Sequence, residues 1–390
     1  MKNAKLIAVI CFGLLFPSFA NAQLSKSINL TTAGALKDNL TYNEKQQVTN
    51  LTLTGKIDAR DIALMRDSLP QLAVLNMAGA VIDSYVGEGG TSFGYNTYAK
   101  NQMPFSAFNS KYSLTNVTLS DSLESFDSYA FVYCTGLLSV TLPNSLTSFG
   151  FSTFSNCPSL SNVTIPNSIT DLGDNTFKSC SYMQSITIPS SVTSIGLSCF
   201  AASGLTSIVI PNSVTNIKAH AFNGCASLKT LSIPNSVTTI GNYAFANNNA
   251  LQSVTIYHPS PNSISLGTNL FNNISLYNIP LHIPTGSLID YKTTAPWMYF
   301  GDFIEMNVTS INEKRLHPKI ILNPKTGNLD LKQISGKIDV TVTDIKGRIV
   351  LQTVIDQDNS VSMGNLGTGI YLVIAKNESI TIRTKIVKSF

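Results

Sequence analysis

From Leu114 onward the chain repeats itself. Leu114, Leu137, Leu160, Met183, Leu205, Leu228 and Leu251 each open a segment of one design, such as "LSNVTIPNSITDLGDNTFKSCSY" (160–182) and "LKTLSIPNSVTTIGNYAFANNNA" (228–250). The period is 23 residues; the unit from Met183 is one residue short, and the unit from Leu251 is stretched around Pro259 and Pro261. A unit this small cannot bury its own apolar side chains, so neighbours must stack and share them. The repeat therefore predicts a solenoid.

One unit can be read from its apolar positions. Val163 and Ile165 flank Thr164, which sends two side chains to the core side of a short strand and Thr to the other. Pro166 stops the strand because it has no N–H for a ladder, and Asn167-Ser168 supply a turn. Ile169 and Leu172 place a second apolar pair in the next arm, Gly173 permits a tight bend, and Phe177 closes the coil from a third side. Stacking then aligns Val140, Val163, Ile186, Ile208, Leu231 and Val254 in one apolar ladder. Phe131, Phe154, Phe177, Phe200, Phe222 and Phe245 form another. Each buried Phe or Ile contributes about 1.5–3 kcal/mol.

The phrase "VTIPNSITDLGDNTFKSC" and its equivalents resemble the BspA-like leucine-rich repeats of bacterial surface proteins. The likeness runs over about residues 50–310 and is most specific in 114–250. "VTNLTLTGKIDARDIALMRDSLPQLAVLNMAGAVI" (48–82) resembles the family's N-terminal start, with Ile57, Met65 and Leu69 on a short helix between two strands. "LHIPTGSLIDYKTTAPWMYFGDFIEM" resembles its C-terminal cap, with Tyr291, Trp297 and Phe300 covering the last rung. Caps at both ends lead one to expect a complete solenoid. After Glu305 the period breaks, and from Ile320 the sequence alternates with period 2, which predicts a small immunoglobulin-like β-sandwich. Its markers "NPKTG" (323–327), "TDIKGRIV" (343–350), "LGTGIYLV" (366–373) and "KIVK" (385–388) resemble the type A C-terminal sorting domain of the type IX secretion system. That resemblance implies transport across the outer membrane with cleavage of the domain. An attached immunoglobulin-like spacer is the alternative.

The N-terminal end fits export. Lys2 and Lys5 precede an apolar run from Leu6 to Phe16 and then Ala20-Asn21-Ala22, a signal-peptide pattern; an N-terminal core helix is the other reading. The expected organisation is thus a signal peptide (1–22), an N-terminal cap with atypical first repeats (23–113), regular leucine-rich repeats (114–275), a solenoid cap (276–308), a linker (309–319) and the sorting-type sandwich (320–390). The expected location is secreted, or on the outer-membrane surface of a Gram-negative bacterium. No later stretch is long and apolar enough to span a membrane.

Charge is scarce where the repeats are. Residues 114–275 hold three basic side chains (Lys178, Lys218, Lys229) and five acidic ones (Asp121, Glu124, Asp127, Asp171, Asp174). Capture of a nucleic acid needs a basic field this segment lacks. The cysteines beyond the leader are Cys134, Cys157, Cys180, Cys199 and Cys225, and four of them share one repeat position, where the unit from Leu228 has Asn248. They read as buried, reduced packing residues. A bridge such as Cys134–Cys157 stays open as an alternative, although parallel Cβ vectors give it poor geometry. His220, His258, His282 and His317 form no ligand spacing. No G-x-S-x-G elbow, Walker A loop, dinucleotide fingerprint or close carboxylate pair appears. The expectation is a non-enzyme with no catalytic residue, cofactor or metal.

What remains is surface. Strand residues aimed away from the core are expected to form one wide, uncharged, hydroxyl-rich face: Ser139, Thr141, Asn162, Thr164, Ser185, Thr187, Ser207, Thr230, Ser232, Ser253 and Thr255. Thr is also simply a good strand former, which would explain the pattern without binding. A Gly-rich insertion (83–102) carries Tyr85, Phe93, Tyr95 and Tyr98, either as contact residues or folded back over the flank. The expected role is adhesion or protein–protein interaction with host extracellular or bacterial surface proteins. BspA-like proteins are known to bind host matrix and clotting proteins. Glycan binding and a structural surface-layer role are the alternatives, and the export machinery is the expected partner of the C-terminal domain.

Overall fold

The computed structural model describes residues 23–306 and, further on, 319–322, 328–332, 337–344, 346, 348–355, 360–363, 365–376 and 381–388. The expected signal peptide, and the expected linker up to residue 318, lie outside the described residues. The chain divides into two compact units, Met1–Asn307 and Val308–Phe390.

The first unit is the expected coil of stacked rungs, each with three sides. The first side is a parallel sheet, β1 (Leu24–Leu30), β2 (Val48–Ile57) and β3 (Val74–Asn76), continued by Asn116–Thr118, Ser139–Thr141 and Asn162–Val163. Equivalent residues pair in register: Asn116 with Ser139 and Ser139 with Asn162. A second first-side sheet takes over at Ser207–Val209 and runs through Thr230–Ile233, Ser253–Ile256 and Pro280–Pro284 to Asp302–Met306. The second side is a ladder of two-residue strands, Ser194–Ile195, Asn216–Ile217, Thr239–Ile240 and Ser265–Leu266, extended by single bridges such as Asp171 to Ser194.

The third side is made of turns rather than strands. Two residues per rung, four apart, have a left-handed backbone: Tyr129 and Tyr133 (φ 62 and 60), Ser152 and Asn156 (57 and 57), Asn175 and Ser179 (55 and 61). This conformation costs a side chain about 1–2 kcal/mol unless it is Gly or a small polar residue, which is why most rungs place Ser or Asn there. Between the two lies the Phe of each rung. The rings of Phe108, Phe131, Phe154, Phe177, Phe200, Phe222, Phe245 and Phe271 stack with centroids 5.1–5.9 Å apart and planes 9–23° from parallel. This is the expected Phe ladder, extended by one rung at each end.

The shortened unit from Met183 corrects one expectation. Its residue is lost in the return from the third side, Ala201–Gly204, and a coil one residue short cannot hold all three registers. The second side keeps its pairing (Ser194 with Asn216), and so does the third (Phe177 N–H to Cys199 O, Phe200 N–H to Ala221 O, both 2.8 Å). The first side gives: 184–188 joins neither sheet, and the single continuous face becomes two. Gly204 is the residue that permits the short return, since a Cβ there would lie 1.9 Å from the Ser181 carbonyl oxygen.

Of the three residues expected on the N-terminal helix only Met65 lies on it; Ile57 ends β2 and Leu69 follows the helix. The helix α2 (Ala59–Ser68), which follows α1 (Tyr42–Gln47), buries Ile62 and Met65 between β2 and β3. At the other end Trp297 and Phe300 meet the Phe271 ring edge-on at 5.7 and 5.5 Å, and Tyr291 donates to His258 O at 2.7 Å.

The second unit is antiparallel. A four-stranded sheet orders Ile349–Ile355, Ile338–Asp344, Gly369–Lys376 and Thr381–Lys388, and a three-stranded one orders Lys319–Leu322, Leu329–Lys332 and Ser360–Val361. Leu329 and Val361 from the smaller sheet share one core with Ile338, Val340, Val342, Val373 and Ile386 from the larger. Asp344 shapes the hairpin of "TDIKGRIV" by accepting from the backbone N–H of Lys346 (2.9 Å) and Arg348 (3.0 Å).

The Phe stack sets the stability of the coil. Phe177→Ala removes a fully buried ring from between two others and is expected to cost about 3–5 kcal/mol. Tyr182→Ala, at a side chain 68% exposed, should change stability by less than about 0.5 kcal/mol. Urea unfolding of the two variants checks the contrast.

Candidate binding faces

The first side presents most of the anticipated residues to solvent. Thr141, Asn162, Thr164, Ser185, Thr187, Ser207 and Thr230 are exposed, while Ser139, Ser232, Ser253 and Thr255 are half-buried between their neighbours. Adjacent strands lie about 4.8 Å apart, close enough for side chains to bond along the stack, as Asn116 Nδ2 does to Ser139 Oγ at 2.6 Å. None of the eleven carries charge. Ser185 and Thr187 sit in the unpaired segment, so they mark the break between the sheets rather than the middle of one face. Val209, 61% exposed, adds an apolar spot to the second sheet.

The aromatic insertion divides into two pairs by placement. It folds as a hairpin, β5 (Tyr85–Gly87) against β6 (Asn96–Tyr98), after β4 (Ala80–Ile82). Tyr85 and Tyr98 fold back: their rings stack at 6.1 Å, and the Arg60 guanidinium lies 4.3 Å over Tyr85. Phe93 and Tyr95 project from the tip, with Tyr95 73% exposed. The folded-back placement thus describes Tyr85 and Tyr98, while Phe93 and Tyr95 lie open to solvent.

A buried polar column runs beside the Phe stack, three residues after each ring. Cys134, Cys157 and Cys180 donate from Sγ to the carbonyl oxygens of Phe108 (3.0 Å), Phe131 (3.0 Å) and Phe154 (3.3 Å), and Cys225 to Phe200 (3.1 Å). In place of a thiol, Asn248 donates to Phe245 O at 2.9 Å, and Ser203 holds the column position in the short rung. Cys199 lies outside this column. All five cysteines are buried free thiols. The first member of the column is Lys111, which sequence reading passed over although the period places it there. Its Nζ donates to the backbone oxygens of Arg66 and Leu69 at the end of α2. Burial pushes its amine down to about 8. Arg66 Nη1 in turn donates to Thr91 O and Ser106 O, both at 2.8 Å.

Asp61 anchors the N-terminal cap. Its carboxylate accepts from the N–H groups of Gly34 (2.7 Å), Leu36 (2.9 Å) and Asp58 (3.0 Å). Burial raises its pKa against those bonds. The group is fully engaged in holding backbone. Among the described residues no group of three or more His, Cys, Asp or Glu could hold a metal ion.

This geometry meets a family pattern over much of the chain. The BspA type leucine rich repeat region matches in six copies, over residues 101–229 and 193–291. The chain is a BspA-type leucine-rich repeat protein. Residues 319–389 match a secretion system C-terminal sorting domain. No curated protein matches the chain. Similar solved structures include a leucine rich cell surface protein from Faecalibacterium prausnitzii (20% identity, 55% of this chain and 86% of that one, TM-score 0.32). Others are a leucine rich repeat protein of T. pallidum (21%, 59% and 82%, 0.33) and the pneumococcal vaccine antigen PcpA (15%, 73% and 84%, 0.32). No described helix of this BspA-type protein is long and apolar enough to cross a membrane.

The thiols give the BspA-type coil an alkaline weakness. Burial pushes Cys134, Cys180 and Cys199 upward and Cys225 to about 11, from an ordinary 9.0. A raised folded value means the unfolded chain loses its protons first, so this stability is present below pH 9 and lost as pH rises. Between pH 8 and 10.5, Cys225→Ser is expected to lose about 2 kcal/mol less than the parent, read from urea unfolding at both values.

Proposed function

We propose that this protein is a non-catalytic surface adhesin or interaction module. In this reading it is exported by the type IX machinery through its C-terminal domain and binds a macromolecule with its solenoid. The sorting domain supports export to the surface of a Gram-negative cell. The observation that carries the binding reading is the exposed first-side row of Thr141, Asn162 and Thr164: hydroxyl and amide groups at fixed spacing on a backbone held by three ladders. Such a row enters an interface with little ordering cost, and its neutrality suits a polar, uncharged partner.

The second unit, two antiparallel sheets around one core, is read as the immunoglobulin-like sandwich of a sorting domain, joined by the linker at 309–319 and removed on arrival. A glycan is the second reading for the ligand, favoured by Phe93 and Tyr95 at the hairpin tip. Aromatic faces on a rigid loop suit a sugar ring, and Tyr42, 76% exposed, lies on the same N-terminal cap.

Two outcomes are expected. Deleting residues 320–390 should leave the solenoid inside the cell, whereas mass spectrometry of surface protein from the parent should find chains ending near residue 310; an intact Phe390 at the surface contradicts cleavage. In solid-phase binding to extracellular matrix proteins, Thr141→Lys with Thr164→Lys should weaken capture at least about tenfold, because two uncompensated charges enter a neutral interface. Tyr95→Ala should leave that capture intact. On a glycan array the two variants should exchange effects if the ligand is a sugar.

A further inference from the structure

The third side has a direction. In every rung three N–H groups donate forward to three carbonyls of the next: those of Ser106, Phe108 and Ser110 to Ser128, Ala130 and Val132, and so on to those of Tyr243, Phe245 and Asn247, which donate to Thr268, Leu270 and Asn272. The distances are 2.7–3.1 Å, and the sense never reverses. The two left-handed residues of each turn produce this: they set every second N–H toward the next rung, while the intervening N–H groups of Ala107 and Asn109 bond within the turn. In the parallel strands of the first side, by contrast, dipoles largely cancel.

Three aligned chains of peptide dipoles running along one axis is also the electrical description of an α-helix. Seven steps of about 4.8 Å make a column of about 34 Å, matching a helix of roughly 22 residues, with about half a unit charge at each end. The carbonyl end is negative and lies at the first rung, where the positions equivalent to Ser128, Ala130 and Val132 are Phe105, Ala107 and Asn109; Arg66 and Lys111 lie at the same turn, where Arg66 bonds the neighbouring Ser106 O. The N–H end is at Asn269, Phe271 and Asn273. Among the described residues no acceptor meets those three N–H groups. Asn269 and Asn273 are exposed and left-handed (φ 55 and 61). Their side-chain amides point back along the column, Nδ2 to Tyr243 Oη (2.8 Å) and to Asn247 Oδ1 (2.7 Å). Trp297, whose ring is 5.7 Å from that of Phe271, buries a fourth N–H, its Nε1, without an acceptor.

We propose that this end of the third side is an oxyanion-binding site. The backbone N–H groups of Asn269, Phe271 and Asn273, whose equivalents in every other rung meet three separate carbonyls, donate side by side to the oxygens of a carboxylate or sulfate, and the column behind them supplies the positive potential. The ligand is an acidic side chain, a uronate or a sulfated sugar on the molecule the solenoid contacts. The site is independent of which first-side ligand binds.

The test is an amide NMR titration of the chain from Gln23 to Phe390 with sodium sulfate and with sodium acetate, against sodium chloride at equal ionic strength. Saturable shifts at the 269, 271 and 273 amides with either salt are expected, and response to one salt alone identifies a sulfate or a carboxylate ligand. Asn272→Asp places a negative charge between the donors without removing a bonded side chain, and should weaken the response roughly two- to fivefold. Asn272→Ser should keep it. Equal shifts at all exposed amides, no saturation, or an unchanged response in Asn272→Asp would overturn the site.

Discussion

The stack of Phe rings is the contact on which the solenoid depends. Each ring is fully buried only because another lies on both faces, so no rung is stable alone and each is stabilised by its neighbours. The ring sits between two left-handed residues, and that geometry turns the third-side N–H groups toward the next rung. Packing and hydrogen bonding therefore share one cause. The thiol column, three residues on, satisfies the Phe carbonyls from inside the same coil.

This architecture separates what holds the molecule together from what it shows. The core uses Phe, Leu, Ile and Cys at fixed positions, leaving the intervening ones free. Those are Ser, Thr and Asn on the first side and bulkier residues on parts of the third, where Tyr129 packs edge-on against Phe105 and Phe151 at 5.6 and 5.4 Å. Tyr129, Tyr133 and Tyr243 occupy left-handed positions that other rungs give to Ser, Asn, Gly, Ala or His. The aromatic rungs accept backbone strain that the polar rungs avoid.

Much of this was legible because a repeat with Leu, Ile and Phe at constant spacing has few solutions. The three sides and the Phe ladder follow from that spacing, whereas the caps are suggested only by the resemblance to the BspA-like family. The break in the first side was legible only as a missing residue: nothing local in "MQSITIPSSV" says it leaves the sheet, because the loss falls later, at Ala201–Gly204, and is transmitted through the coil. Lys111 was hidden for a different reason. Its column is defined by cysteines, and a lysine is not a hydrophobe of that kind, yet its stem packs inside while its ammonium reaches the backbone oxygens at the end of α2. The division of the hairpin into folded-back Tyr85 and Tyr98 and projecting Phe93 and Tyr95 depends on Arg60, twenty-five residues before Tyr85, which no local pattern reveals.

The short return at Gly204 has a mechanical meaning. A rung held by three ladders shares a load among all of them, but on its first side the rung from Met183 pairs in neither sheet and keeps the bond of Thr206 N–H to Gln184 O. A cell tethered by one end of the coil and pulled by flowing liquid would concentrate strain on that rung. It is the place where the coil would first part, giving length before either flanking sheet is disturbed.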